Sequence, residues 1–300
     1  MTDQFDELTS RLIAGEPLSP DDAAALAKTT DILTLGMLAD DARRRRHGAD
    51  TTFVRVAVVT MPEADRAAAI PPAAGEVRIE GLSGPFEALL PRVRAIVSAA
   101  GAVPVSAFSL ADMEVHALST GTALLDLLRA VRHAGVTLVA EAPLDRLREA
   151  EASLEAVRAA GLDLARLTIQ HHVAGVDRVS QILRAAELQH ALGWIRSFAP
   201  LARTWDAASV STGYGDVRQV ALARLLADNI PSIQIDWSLY GPKLAQVALT
   251  VGADDVDGVS SADDGPEGRR RAPLEEIRRN IQAAALVAVE RDGAYRRIAG

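Results

Sequence analysis

The sequence predicts an α/β fold, a (β/α)8 barrel of the TIM type preceded by a helical extension. Strand-like and helix-like runs alternate along most of the 300 residues. Eight strand-like runs are present, which is the number that closes such a barrel. Hydrophobic residues make up 49% of the chain and aromatic residues only 4%, so the core must consist mainly of Ala, Leu, Val and Ile. A doubly wound open sheet is the alternative, because periodicity does not show whether a sheet closes.

Residues 1–50 are predicted to form the helical extension, and residues 51–300 the barrel as a single domain. Ser19 and Pro20 form a typical helix start, with a hydroxyl cap followed by proline. A second helix is predicted from Asp31 to the arginine run 43–46, with Gly48 as its C-cap. The arginine run is predicted to be a solvated helix end, and the alternative is a patch that binds phosphate or an acidic partner.

The barrel elements follow in order. Strands are predicted at residues 52–59, 76–80, 103–108, 137–140, 167–171, 194–198, 233–236 and 254–259. Helices are predicted at residues 85–100, 122–134, 144–160, 177–192, 217–228, 241–251 and 274–290.

Composition excludes several classes of protein. A net charge of −8 argues against nucleic acid as a partner. No apolar run reaches the roughly 18 residues that a membrane span needs, so no membrane association is expected. The acidic N-terminus lacks the apolar core of a secretory signal, which favours a cytoplasmic protein. Cysteine is absent, which excludes disulfides, thiolate nucleophiles, zinc–thiolate sites and cysteine-ligated iron–sulfur clusters.

Two blocks of the sequence resemble a known family. The block DWSLYGPKLAQVAL at 236–249, with GADDVDGVS at 252–260 and RRRAPLEEIRRNI at 269–281, is similar to the C-terminal part of aminofutalosine synthase. The segments GEPLSPDDA and LADDARRRRHG resemble its N-terminus. That family consists of radical SAM enzymes of the futalosine route to menaquinone. The resemblance implies a radical-SAM-like barrel and favours the closed sheet over the open one.

The chain departs from this family where the cofactor would bind. The family carries three cysteines spaced C-x-x-x-C-x-x-C after the first barrel strand, and they hold a [4Fe–4S] cluster that cleaves S-adenosylmethionine. The corresponding segment here, 60–72, contains no cysteine, and Met61 as a lone thioether cannot hold a cluster. The glycine pair after the second strand is replaced by Gly81-Leu82, and a family carboxylate is missing after His171. The resemblance therefore predicts a divergent member without cluster or radical chemistry, and no cofactor is predicted.

The C-terminal ends of the predicted strands carry the candidate site residues, because barrel enzymes place their active sites there. Candidate acid/base residues are Glu80, Glu141 and His171. Candidate ligand-binding residues are Arg196, Asp236, Trp237, Tyr240 and Asp254. No metal site is predicted, because adjacent histidines on a strand face opposite ways and the Asp254-Asp255-x-Asp257 run lacks the rest of a calcium loop.

Three hypotheses of function follow from these observations. The first is a cluster-less homologue in menaquinone synthesis, a pseudoenzyme that binds a nucleoside or a chorismate-derived intermediate. The second is a cluster-free acid/base lyase or hydrolase acting on a futalosine-type substrate. The third is a structural partner, as a homo-oligomer or in complex with a cluster-bearing radical SAM relative.

Overall fold

The computed structural model of the chain describes residues 7, 9–12, 14, 18–61, 70–172, 178–205, 213–262 and 274–298. Eight parallel strands close into a barrel, which confirms the predicted fold class. The strand order around the barrel is β1-β2-β3-β4-β6-β7-β8-β9, and β9 pairs with β1 to complete the circle. The short strand β5 pairs with β4 beside β6, and β10 pairs with β1.

The strands have the following bounds: β1 Asp50–Thr60, β2 Glu76–Glu80, β3 Val105–Ser109, β4 Leu138–Pro143, β5 Asp163–Leu164, β6 Leu167–His172, β7 Ser197–Trp205, β8 Ser232–Asp236, β9 Asp255–Ser260 and β10 Val287–Glu290. The described helices are α1 Pro20–Lys28, α2 Ile32–His47, α3 Phe86–Ala100, α4 Leu110–Thr120, α5 Leu124–His133, α6 Ala150–Ala159, α7 Arg178–Leu192, α8 Gly213–Leu226, α9 Trp237–Leu249 and α10 Leu274–Ala283. None of these helices is long and apolar enough to cross a membrane.

The two helices predicted before the barrel are present, with the caps expected at Ser19 and Gly48. Ser19 and Asp22 make a reciprocal capping box at the start of α1. Asp31 caps α2 by accepting from the backbone N–H groups of Leu33 and Thr34, both at 3.1 Å. Helix α2 packs against α8 and against the turn before β9, where Gly252 has φ of 115°. A side chain at Gly252 would meet the Cβ of Arg224 at 2.7 Å, so this glycine allows the close approach of α2 and α8.

Among the helices, two differ from their predicted bounds as follows, and one was not predicted. The last helix ends at Ala283 rather than at residue 290, and the chain then forms β10 beside β1. Helix α4 was not predicted at all. Helix α9 begins at Trp237, and the predicted start at Gly241 is instead a break within it, where φ is 71° and ψ is 172°.

The C-terminal segment after β10 closes the N-terminal end of the barrel. Arg291 binds both carboxylate oxygens of Asp255, at 2.6 and 2.7 Å, and its guanidinium lies 3.9 Å from the centre of the Tyr295 ring. The Tyr295 hydroxyl donates to the carbonyl of Ala165 at 2.8 Å. The barrel floor is therefore made by the chain after the last strand, and the opposite, C-terminal mouth is left for function.

Candidate functional site at the C-terminal mouth of the barrel

Strand β2 places charged side chains inside the barrel. Glu76 and Arg78 are two residues apart and are joined by hydrogen bonds of 2.9 and 3.1 Å, so alternate residues of this strand share one face. Arg78 also donates to Asp257 of β9 at 2.7 Å, across the barrel interior. Glu80 is the next residue on the same face, and it is exposed at the mouth.

Val58 exposes an apolar side chain at this end of the barrel. Val58 of β1 is in register with Arg78, and partners in register point to the same side of a parallel sheet. Among the described residues, Arg78 is only 3% exposed, whereas Val58 is 51% exposed although it lies within a barrel strand. Arg78 is therefore covered, and the side chain of Val58 beside it faces solvent.

Arg203 of β7 joins two carboxylates at this mouth. Its Nε lies 3.1 Å from Oε2 of Glu141 on β4, and its Nη1 lies 3.2 Å from Oδ2 of Asp236 on β8. Burial acts to lower the pKa of Arg203, but the charges of Glu141 and Asp236 outweigh it and the pKa is raised. The Oε2 atom of Glu141 is buried, and its ion pair with Arg203 is the contact that the structure gives it. The group thus carries one positive and two negative charges.

Asp236 is held in place by the start of α9. Its Oδ1 accepts from the Ser238 hydroxyl at 2.6 Å and from the backbone N–H of Leu239 at 3.1 Å, which makes it the helix cap. Its other oxygen remains for Arg203. Trp237 is 4% exposed and so offers no open stacking face, and the Tyr240 hydroxyl donates to the carbonyl of Ala202. Burial raises the pKa of Tyr240, so this hydroxyl stays protonated.

Below the mouth, Asp257 lies among arginines. It accepts from Arg78 at 2.7 Å and from Arg166 at 2.6 Å. Burial acts to raise the pKa of Asp257, but Arg166 and Arg78 outweigh it and hold the pKa well below its usual range. Among the described residues of the barrel interior, five carboxylates form ion pairs with four guanidinium groups. The carboxylates are those of Glu76, Glu141, Asp236, Asp255 and Asp257, and the guanidinium groups are those of Arg78, Arg166, Arg203 and Arg291. The excess negative charge lies at the mouth, beside Arg203.

Two predicted ligand-binding residues lie at the wrong end of the barrel. Arg196 was predicted near the end of a strand, but β7 begins at Ser197, so Arg196 precedes the strand and is exposed on the side opposite the mouth. Asp254 likewise precedes β9. It pairs with Arg224 and accepts from the backbone N–H of Ile233 at 2.8 Å, which fixes the barrel floor. Arg196 was misplaced because its predicted strand, 194–198, was shifted toward the N-terminus. Asp254 was the first residue of its predicted strand, 254–259, and so belonged to the N-terminal end already.

The three predicted acid/base residues do not come together. Glu141 and His171 point to opposite sides of the sheet. Pro143, two residues after Glu141, points to the same side as Glu141 and is in register with Thr168. His171 is three residues after Thr168, so its side chain points to the other side. His171 therefore points away from the barrel interior, and its Nδ1 lies 3.4 Å from Asp145. Glu80 is exposed at the end of β2. Among the described residues, no contact links Glu80, Glu141 and His171.

The residue that organises the mouth, Arg203, was not predicted. The prediction ended β7 near residue 198 because Pro200 follows, yet the strand continues to Trp205. The available signal was the alternation of Leu201, Arg203 and Trp205 beyond the proline.

The donor set does not fit the cluster that the family resemblance implies. The sequence contains no cysteine, and Met61 is 1% exposed in the hydrophobic core. Within the described parts of the chain, no group of three His, Asp or Glu side chains is placed to hold a metal ion. The segment after β1 where the family carries its cysteines falls mostly outside the described residues, and its sequence offers no replacement ligands.

Two known enzymes are similar to this chain in sequence. Aminodeoxyfutalosine synthase of Thermus thermophilus is 27% identical, over 97% of this chain and 95% of its own. A 5-amino-6-(D-ribitylamino)uracil–L-tyrosine 4-hydroxyphenyl transferase of Methanosarcina acetivorans is 26% identical over 74% of this chain and 67% of its own. No protein-family model matches the chain.

Solved structures give the same picture of the fold. Methylornithine synthase superposes with a TM-score of 0.67 at 13% identity, over 94% of this chain and 97% of that one. The FeFe-hydrogenase maturase HydG of Carboxydothermus hydrogenoformans gives a TM-score of 0.69 at 13% identity, over 96% of this chain and 80% of that one. The predicted resemblance to the aminofutalosine synthase family is confirmed, and this chain is a divergent, cysteine-free relative.

Proposed function

We propose that the chain is a non-redox relative of aminodeoxyfutalosine synthase that binds a nucleoside at its barrel mouth and serves futalosine-type menaquinone synthesis. One observation carries this proposal. Arg203, Glu141 and Asp236 form a group with one positive and two negative charges at the mouth of the barrel, where Val58 of β1 exposes an apolar side chain. This is the mixture of apolar surface and a few fixed polar atoms that small-molecule sites use.

The charge of the mouth favours a nucleoside over an aromatic carboxylate. Two carboxylates face one guanidinium there, and the exposed Glu80 adds a third negative group. Ribose hydroxyls and an exocyclic amine are donors, and the carboxylates of Glu141 and Asp236 are acceptors for them. A chorismate-derived carboxylate would instead add negative charge to a site that already has too much.

The proposal excludes radical chemistry because the chain lacks the ligands that an iron–sulfur cluster needs. Reductive cleavage of S-adenosylmethionine needs an electron from a cluster, and cysteine thiolates hold such clusters. A chain without cysteine has no such ligands. We therefore treat the protein as a pseudoenzyme with respect to its radical SAM relatives.

The acid/base alternative has less support. A general base and acid must both reach the reacting atoms, within about 2.6–3.2 Å or through one water. His171 points to the outer side of the sheet and pairs with Asp145, whereas Glu141 points inward. Partnership with a cluster-bearing relative is compatible with nucleoside binding, and it is a separate proposal that co-purification from cells expressing both proteins would test.

Calorimetric titration tests the nucleoside proposal. The ligands are adenosine, aminofutalosine, S-adenosylmethionine and the carboxyvinyl-oxybenzoate precursor, titrated into the protein as isolated. Glu141→Gln removes one charged acceptor and keeps the side-chain shape, so we expect it to weaken nucleoside binding by roughly 10- to 100-fold. Glu151→Gln on the exposed face of α6 is the matched control and should bind as the unaltered protein does.

Three results would contradict the proposal. The first is tighter binding of the benzoate precursor than of any nucleoside. The second is an equal effect of the Glu141 and Glu151 substitutions. The third is stoichiometric iron and sulfide in protein purified without oxygen, since the chain would then hold a cluster by other ligands.

A further inference from the structure

The charges of the barrel interior are balanced at the floor and in the middle, but not at the mouth. Below the mouth, each described carboxylate has a guanidinium group to match it. These balanced residues are Glu76, Asp255 and Asp257 with Arg78, Arg166 and Arg291. At the mouth, Arg203 contacts both Glu141 and Asp236, and no other cation of the described residues contacts either carboxylate. The mouth group therefore has one negative charge in excess.

The mouth group is poorly solvated. The side chains of Arg203, Glu141 and Asp236 are 17%, 16% and 6% exposed. An unbalanced charge in such a place is costly, because neither water nor a counter-ion fully compensates it. A bound cation with hydrogen-bond donors would remove this cost.

Two hydroxyl groups without partners flank Glu141. Strand β6 lies between β4, which carries Glu141, and β7, which carries Arg203. Thr168 of β6 is in register with Pro143, so it points to the same side as Glu141. Thr168 is 0% exposed, and its Oγ1 has no hydrogen-bond partner among the described residues. On the other side, Ser109 of β3 is in register with Glu141, and its buried Oγ likewise has no partner there.

Gln170 adds an amide to the same place. It is two residues after Thr168, on the same face of β6, and the pairing of β6 with β7 places it opposite Arg203. Its backbone is fixed, since its N–H donates to Asp145 at 2.7 Å and its carbonyl accepts from Thr204 at 2.8 Å. Its side chain is half-buried, and within the described parts of the chain its amide has no hydrogen-bond partner. The amide is thus held at the mouth and is available to a ligand.

We propose that the mouth binds a primary ammonium group of its ligand beside Glu141. An ammonium group carries one positive charge and three N–H donors. Its charge would balance the group around Arg203, and its hydrogen bond to a carboxylate would be of the strong, charge-assisted kind. The neutral acceptors for its remaining donors are Ser109, Thr168 and Gln170. A metal ion fits less well, because no three His, Asp or Glu side chains are placed to hold one in the described parts of the chain.

The ligand class that results is a nucleoside with an aliphatic amine, and this rests on the nucleoside binding proposed above. An ammonium group can also be presented without a nucleoside. Nucleoside binding and ammonium binding can therefore be rejected separately.

Calorimetric titration of matched amines and alcohols tests the ammonium site. The first pair is 5′-amino-5′-deoxyadenosine and adenosine, and the second pair is benzylamine and benzyl alcohol. We expect the aminated nucleoside to bind roughly tenfold more tightly than adenosine at neutral pH, because its ammonium group makes a charge-assisted hydrogen bond that a hydroxyl cannot make. Benzylamine should likewise bind more tightly than benzyl alcohol.

The ratio of the two nucleoside affinities is the measurement in the variants. Glu141→Gln removes the excess charge, so the two nucleosides should then bind within about twofold of each other. Thr168→Val removes one hydroxyl and keeps the shape of the side chain, so it should lower the ratio and still fold, since the lost hydroxyl has no partner. Glu151→Gln on the exposed face of α6 is the matched control and should keep the full ratio.

The outcomes distinguish the two proposals. Equal affinities for the two nucleosides in the unaltered protein would reject the ammonium site and leave nucleoside binding standing. If neither nucleoside bound but benzylamine bound more tightly than benzyl alcohol, the nucleoside would be rejected and the ammonium site kept. No binding of any of these compounds would reject both. An unchanged ratio in Glu141→Gln, or in Thr168→Val if the first variant does not fold, would also overturn the ammonium site.

Discussion

The ion pair at the barrel floor gives a direct test of the fold. Asp255→Asn keeps the size of the side chain and removes the charge that neutralises Arg291. Asp255 is 0% and the Arg291 side chain 3% exposed, and two hydrogen bonds of 2.6 and 2.7 Å join them. Removing one partner of a pair this deeply buried costs about 3–5 kcal/mol, because the other charge is left without compensation. Gln234, which donates to Asp255 at 2.7 Å, cannot replace the lost charge.

Urea denaturation followed by circular dichroism measures this loss. A cost of this size lowers the thermal midpoint by about 10 °C in a domain of a few hundred residues. The double variant Asp255→Asn/Arg291→Gln should lose less than the sum of the two single variants, by about 1–3 kcal/mol. Arg296→Gln is the control, because the Arg296–Asp292 pair lies in the same C-terminal segment but the Arg296 side chain is 71% exposed. It should cost less than about 1 kcal/mol.

The reasoning would be refuted if Asp255→Asn cost no more than the exposed control. Arg291 would then be solvated, and the segment after β10 would not close the floor. Additive losses in the double variant would mean that Asp255 and Arg291 act through different partners.

Three further predictions concern backbone space and protonation. Gly252→Ala should cost about 2 kcal/mol or more in urea denaturation, because its φ is 115° and the new Cβ would meet Arg224, whereas Gly84→Ala (φ 80°, open space) should cost about 1 kcal/mol. Tyr240→Phe should lose about 1 kcal/mol at neutral pH. The pKa of Tyr240 is raised in the folded protein, so its contribution to stability is present below pH 10 and falls above it. A titration of stability from pH 8 to 11 should show a smaller fall in the variant than in the unaltered protein, because the pKa of Tyr295 is raised by burial as well and causes a fall in both. Folding lowers the pKa of Asp257, so the contribution of this carboxylate to stability is present above its unfolded pKa near 4 and is lost as the pH falls below that value. Asp257→Asn should therefore reduce the free energy of unfolding at pH 7 and make it depend less on pH in the acid range.

The sequence predicted the barrel because its signals are local. The strand Glu76–Glu80 was predicted with the bounds it has, since charged and β-branched residues alternate in it and proline and glycine flank it. The start of α1 was also predicted, because a cap at Ser19 depends on residues three positions away. Such features need no knowledge of the rest of the fold.

The candidate site was harder to predict, because strand ends decide which residues reach the mouth. A shift of a few residues placed Arg196 at the mouth in the prediction, whereas it precedes its strand and lies at the floor. The pairing of Arg203 with Glu141 and Asp236 joins three different strands. No local pattern shows that these side chains meet, because the meeting depends on the register and the closure of the sheet.

The connections of β1 also have a consequence for synthesis of the chain on the ribosome. On one side, β1 pairs with β2, which follows soon after it in the sequence. On the other side its partners are β9 and β10, whose residues lie some two hundred positions later. The first strand must therefore wait, with one edge unpaired, until nearly all the chain has been made. Nascent chains stalled before Asp255 should consequently remain sensitive to protease in β1, whereas full-length chains released from the ribosome should be protected.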